Sequence, residues 1–306
     1  MQASLIALAT ELKRLKAAGV KSVSVSEESL DALRRVIATR NSVSTKSATD
    51  RPVVPGLMVQ SPAAPKLVAA AAAPGVVKAD ASIPPPPVIV LPSGDKAARW
   101  AALRERVLTD ATCRAHVRTG KQVVFGVGHL DAQIMFVGEA PGAEEEVQGE
   151  PFVGPAGQLL TRMIAGMGLQ RSEVYIGNIM NWRPEIPTAS GGAQYGNRPP
   201  TEQEMSYCLP FLRAQIEVVA PALLVALGAT AAQGLLGFGK FRALGEVRGQ
   251  WHEFAGKPLM VTYHPSYILR NPTNRSKRLI WEDLLKVMER AGRPISSKQR
   301  DYFLEK

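Results

Sequence analysis

The sequence predicts an α/β protein, a three-layer α/β/α domain built on a central, mainly parallel four-stranded sheet. Three observations predict it. From Asp95 onward short β-branched or apolar runs alternate with longer segments of helical period, the pattern of a parallel sheet covered on both faces. Four of those runs end in residues that do not pack, and ligand crevices in open α/β sheets lie outside the carboxyl ends of the strands. With 306 residues the chain can bury a core on both sides of such a sheet.

Residues 1–40 come first and carry two helical patterns. Leu5, Ile6, Leu8, Leu12 and Leu15 fall near a 3.6-residue period, and Ser26 stands as an N-cap ahead of Glu27, Glu28, Leu30, Leu33 and Ile37. This stretch is expected to be a helical arm. Residues 41–94 turn to Ala, Val, Ser and Pro, with Pro84 to Pro87 consecutive, and read as a semi-extended linker that neither helix nor ladder can cross. The domain is expected over residues 95–292, followed by a tail at 293–306. Its strands are predicted at 132–137, 174–178, 222–227 and 258–263, and its helices at 156–167, 201–219, 229–236 and 275–291.

Composition narrows the function classes. The longest weakly polar stretch, residues 67–77, is broken by Pro74 and Gly75 and falls short of the roughly 20 apolar residues that span a bilayer. The charges of the first 19 residues come late, unlike those of an export signal, so a cytoplasmic, reducing setting is expected from sequence. Two cysteines cannot build a secreted disulfide framework, which leaves Cys113 and Cys208 as thiols or ligands. Lys and Arg number 37 against 27 Asp and Glu, a balance of +10 that favours a polyanionic partner. Residues 95–306 hold 26 of the former and 21 of the latter, so half the excess lies in residues 1–94, whose partner the sequence does not name.

The four strand ends carry the candidate chemistry. After the first comes Gly138-Glu139-Ala140-Pro141-Gly142, where two glycines flank a proline of fixed φ and turn backbone amides toward the crevice. Glu144, Glu145 and Glu146 follow, then a loop in which Pro151 and Gly154 bracket Phe152, a ring suited to stacking on a flat base. Asn178 closes the second strand. Its carboxamide can accept from N3–H and donate to O4 of uracil, and it mismatches cytosine, which reverses that pattern. After the last strand stands His264-Pro265-Ser266, where an imidazole can stabilise negative charge on a leaving group.

In this order the motifs resemble the uracil-DNA glycosylase superfamily, most of all its family-4 branch, over residues 120–291. The resemblance implies a uracil-DNA glycosylase-like fold and a monofunctional hydrolase. Such an enzyme flips uracil out of DNA and cleaves its N-glycosidic bond, leaving an abasic site. It implies that the Ala140 backbone touches the base, Phe152 stacks on it, Asn178 reads its edge and His264 stabilises the uracil anion. Glu139 and Glu145 match two family carboxylates, one to order water or favour the sugar cation, the other to shape the pocket. Ala140 stands where other branches place a water-activating Asp or Asn. Arg183, Arg198, Ser266 and Arg270 are expected to contact DNA, with residues 267–270 as a wedge into the stack. Two other readings stay open: a non-catalytic DNA-binding or replication accessory module, and a glycosylase for another deaminated base such as hypoxanthine. DNA containing uracil is the expected partner and a monomer the expected state.

One departure from the family pattern is plain. Family-4 members hold a four-iron cluster through four cysteines, and this chain has two. Cys208 matches one ligand position, Cys113 lies near another, and Trp182 occupies the stretch where a third is expected. The cluster is therefore expected to be lost, with no metal, and Trp182 to refill its place.

Overall fold

The computed structural model describes residues 83–186, 194 and 196–304. The arm at 1–40 and the linker at 41–82 lie outside the described residues. Nine α-helices are described: α1 (Lys96–Leu108), α2 (Ala111–Ala115), α3 (Glu145–Gln148), α4 (Pro155–Gly166), α5 (Glu202–Val219), α6 (Ala229–Leu236), α7 (Ser266–Arg270), α8 (Asn274–Arg290) and α9 (Ser297–Arg300). The strands are β1 (Val127–Gly128), β2 (Ile134–Gly138), β3 (Tyr175–Asn178), β4 (Leu223–Leu227), β5 (Trp251–Phe254) and β6 (Lys257–Thr262).

The four predicted strands are β3, β2, β4 and β6, neighbours in that order and all parallel. The expected four-stranded sheet needs one correction: β1 and β5 extend it to six strands, each pairing antiparallel at an edge. Both edge strands lack the signal that marks the others. β1 has two residues, and β5 is mostly half-exposed, so neither presents an uninterrupted apolar run.

β2, β3 and β4 are buried at every position, as strands covered on both faces must be. Successive side chains feed opposite cores. Met135 and Val137 join α1, α2, α5 and α6 through Leu103, Cys113, Phe211 and Ala231. Ile134 and Phe136 face α4, α7 and α8 through Leu160, Ile268, Trp281 and Leu284. Burying each such aliphatic or aromatic side chain is worth about 1.5–3 kcal/mol, and that is what fixes the register of the sheet.

Local signals set the helix starts. Thr201 caps α5, accepting from the Glu204 N–H, while the Glu204 carboxylate reaches back to the Thr201 N–H at 2.6 Å. Thr273 caps α8 in the same way, accepting from the Ser276 N–H at 3.1 Å. Packing also reaches past the expected domain limits. Ile83, Ile89 and Leu91 lie against the core, and the Trp281 Nε1–H donates to the Gln299 carbonyl at 2.6 Å, tying α9 to α8.

Candidate active site

The parallel register places Gly138 directly beside Asn178 at the carboxyl edge of the sheet. A Cβ at Gly138 would collide with Asn178 Oδ1 and stand 2.5 Å from Phe152 Cε2, so only glycine lets these two side chains meet over the strand tip. At β4 the same holds. The Gly228 N–H donates to the Thr262 carbonyl at 2.9 Å, and Gly228 has φ of 97° with His264 packed where its Cβ would be.

Glu145 organises the loops above. Buried at the start of α3, its carboxylate accepts from the Gly142, Val153 and Gly154 N–H groups, each at 3.1 Å, and so ties the 138–142 turn to the Phe152 loop. Arg171 holds the same loop from behind, donating to the Pro151 carbonyl at 2.7 Å. Between these anchors Phe152 takes φ of 55°, a left-handed conformation costly for an aromatic residue. Gly157 admits it, because a Cβ there would strike the Phe152 backbone. The ring ends 5.5 Å from the His264 imidazole, tilted by 32°.

Asn178 is 6% exposed, and its Oδ1 has no hydrogen-bond partner among the described residues. A buried carbonyl oxygen left unpaired costs about 1–3 kcal/mol, and such an atom at a cleft is a place for a ligand donor. His264 has Nδ1 within 3.2 Å of the Ser266 N–H and 2.9 Å of Ser266 Oγ. An amide N–H only donates, so Nδ1 is the lone-pair nitrogen and Nε2 carries the proton. Burial first, and the Arg270 guanidinium second, push this imidazole down to about 4. It is neutral at pH 7.

Of the residues singled out from sequence, Ala140, Glu145, Phe152, Asn178, Arg183, His264, Ser266 and Arg270 line one cleft of about 410 Å³. Glu139 and Arg198 do not line it. The Glu139 carboxyl hydrogen-bonds to Thr230 on α6, and burial raises its pKa against that bond. The turn carries alternate side chains to opposite sides, which spacing in the sequence does not reveal. Two of the residues expected to contact DNA, Arg198 and Arg183, have partners within the protein. Arg198 forms a fork on Glu204, at 2.6 and 2.8 Å, and donates to the Glu185 carbonyl. Arg183 is buried, giving its donors to Glu146 at 2.9 Å, Asn197 at 2.8 Å and the Gly196 carbonyl at 2.7 Å. Each thus has at least two partners within the protein among the described residues. Sequence reading missed Arg171 and Asn197, the latter at the cleft wall; neither sits in a motif that marks it.

The residues around the two thiols do not fit a four-iron cluster. Cys113 and Cys208 are both fully buried, and hydrogen bonding to Cys208 followed by burial raises the Cys113 thiol far from the thiolate a cluster needs. Trp182, 1% exposed, stacks on His116 at 4.8 Å and 25° and lies 6.2 Å from Tyr207. Among the described residues no group of three or more His, Cys, Asp or Glu is placed to hold a metal ion, and no helix is long and apolar enough to cross a membrane.

Comparison with known proteins points to one family. Residues 125–285 match the family model of the uracil DNA glycosylase superfamily. A type-4 uracil-DNA glycosylase of Thermotoga maritima is 43% identical over 60% of this chain and 90% of its own length. One from Archaeoglobus fulgidus is 37% identical over 61% and 90%. A type-5 uracil-DNA glycosylase of Pyrobaculum aerophilum is 31% identical over 54% and 73%. The match begins near the first strand of the sheet and runs through His264 into α8, covering every wall of the cleft, and on that ground the chain belongs to the uracil DNA glycosylase superfamily.

Proposed function

We propose that this protein excises uracil from DNA in repair, hydrolysing the N-glycosidic bond of a flipped nucleotide and leaving an abasic site. The observation that carries the reading is the orphaned Oδ1 of Asn178, buried at a strand tip beside the Phe152 ring and a neutral imidazole in one cleft. Uracil offers N3–H to that oxygen and O4 to the amide N–H, with its face on Phe152. As the C1′–N1 bond breaks, its electron pair moves into the base, and the His264 Nε2–H donates to the developing O2 anion. The sugar becomes a cation that water captures at C1′, the water's proton passing to solvent as the uracil anion departs. Glu145 shapes the pocket through its three backbone bonds, and Ala140 lends backbone rather than a base.

The four-iron cluster of the type-4 relatives is proposed to be absent, its place taken by Trp182, His116, Cys113 and Cys208. Residues 1–94, with half the basic excess, are proposed to add nonspecific hold on DNA. Removing residues 1–82 should then lower affinity and flatten its salt dependence without slowing excision at saturating enzyme. The central test is a panel of oligonucleotides bearing U:G, U:A, single-stranded U and hypoxanthine, treated with protein and then alkali. Strand breaks at uracil are expected. A panel left intact throughout would favour the accessory-module reading, and breaks at hypoxanthine alone the other-base reading.

A further inference from the structure

We propose that Ser266 and Arg270 are positioning residues for His264, linked as a chain from guanidinium to hydroxyl to imidazole, rather than contacts to DNA phosphate. Arg270 Nη1 donates to Ser266 Oγ at 3.0 Å, and that oxygen lies 2.9 Å from His264 Nδ1. A hydroxyl has one proton, and an arginine only donates. With Oγ accepting from Arg270, its proton is directed to Nδ1. The Ser266 backbone N–H, 3.2 Å away, points the same way. Two donors from one residue thus hold the ring in the Nε2–H form, and Arg270 orients the first of them.

Both hydrogen bonds of the imidazole among the described residues run to Ser266. The other charged groups on the cleft are Glu144, Glu145 and Arg183, of which Glu145 is spent on the backbone and Arg183 on Glu146. Among the described residues no carboxylate is bonded to the ring to hold its tautomer, so that task falls to Ser266 and Arg270. What Nε2 then does rests on the glycosylase reading; the chain itself does not.

The test combines nitrogen NMR of 15N-histidine-labelled protein with single-turnover excision by Ser266→Ala, Arg270→Met and Arg270→Lys. In the parent, His264 should be neutral with its proton on Nε2 at pH 7, and Ser266→Ala should shift it toward a mixture of tautomers. Excision should fall about tenfold in Ser266→Ala and Arg270→Met, the loss of roughly one hydrogen bond, and recover in Arg270→Lys. DNA affinity and its salt slope should hold in all three. Nδ1–H in the parent, unchanged His264 resonances in Ser266→Ala, or an Arg270→Met defect confined to affinity and salt slope would each overturn the proposal. Spectra as expected from a parent that cuts no uracil would sink the glycosylase reading and leave the chain of hydrogen bonds standing.

Discussion

On the proposed function, base choice rests on two atoms of one side chain, that of Asn178. Replacing it with Asp keeps the shape and puts an acceptor where O4 of uracil needs a donor, so the change should cost far more than its size. Asn178→Asp is expected to lower uracil excision about 100-fold or more while improving cytosine relative to uracil, read from paired oligonucleotides under single-turnover conditions. His264 makes a second prediction, of stability. Its folded value of about 4 lies below the ordinary 6.5, so between those values the unfolded chain takes up a proton that the folded ring refuses. Its contribution is therefore intact above pH 6.5 and is eroded as pH falls toward 4. The loss should reach about 2–3 kcal/mol, allowing for the ring's partial exposure, and His264→Gln should flatten that part of a urea-midpoint profile. A parent and variant with parallel profiles would show the ring to be freely solvated.

The strand tips do at the level of elements what Asn178 does at the level of atoms. β2 and β3 are in register at Gly138 and Asn178, so one missing side chain on β2 makes room for two functional ones. Gly138→Ala should destabilise the protein by about 1–3 kcal/mol through overpacking, and should abolish excision even at temperatures where the variant stays folded. Gly245→Ala, with open space around the new methyl, is the matched control and should leave both properties alone. The four core strands and their tips were legible because a strand covered on both faces must be an uninterrupted apolar run, and a polar residue ending one stands out. β1 and β5 were not, since two residues at one edge and a half-exposed ribbon at the other carry no such run. The partners of the arginines were not legible for a related reason. A guanidinium looks free in a sequence, and only the fold brings Glu146 to Arg183 and Glu204 to Arg198. The orientation of Glu139 depends likewise on the path of a turn rather than on spacing.

Taken as a whole molecule, the protein sets the sheet edge proposed to grip the base beside a helical flank where the family-4 sequence pattern implies iron. That flank bears on the site through the 178–183 segment, which runs from Asn178 to the buried Trp182 and Arg183. Asn181 pins the segment from the middle, donating to the Val124 carbonyl at 3.0 Å. If an aromatic plug supports this segment, activity should depend on Trp182 and not on metal. Trp182→Ala leaves a cavity beside His116 and Tyr207, and should cost about 3–5 kcal/mol, seen as a lower urea midpoint. Prolonged treatment of the parent with chelator and oxidant should change neither excision nor melting, because two buried cysteines, with the Cys113 thiol held up by its hydrogen bond to Cys208 and by burial, offer iron too little to bind. The purified parent should be colourless near 400 nm. A brown protein whose melting temperature drops as its colour bleaches would mean that iron, and not the Trp182 ring, holds Asn178 in place.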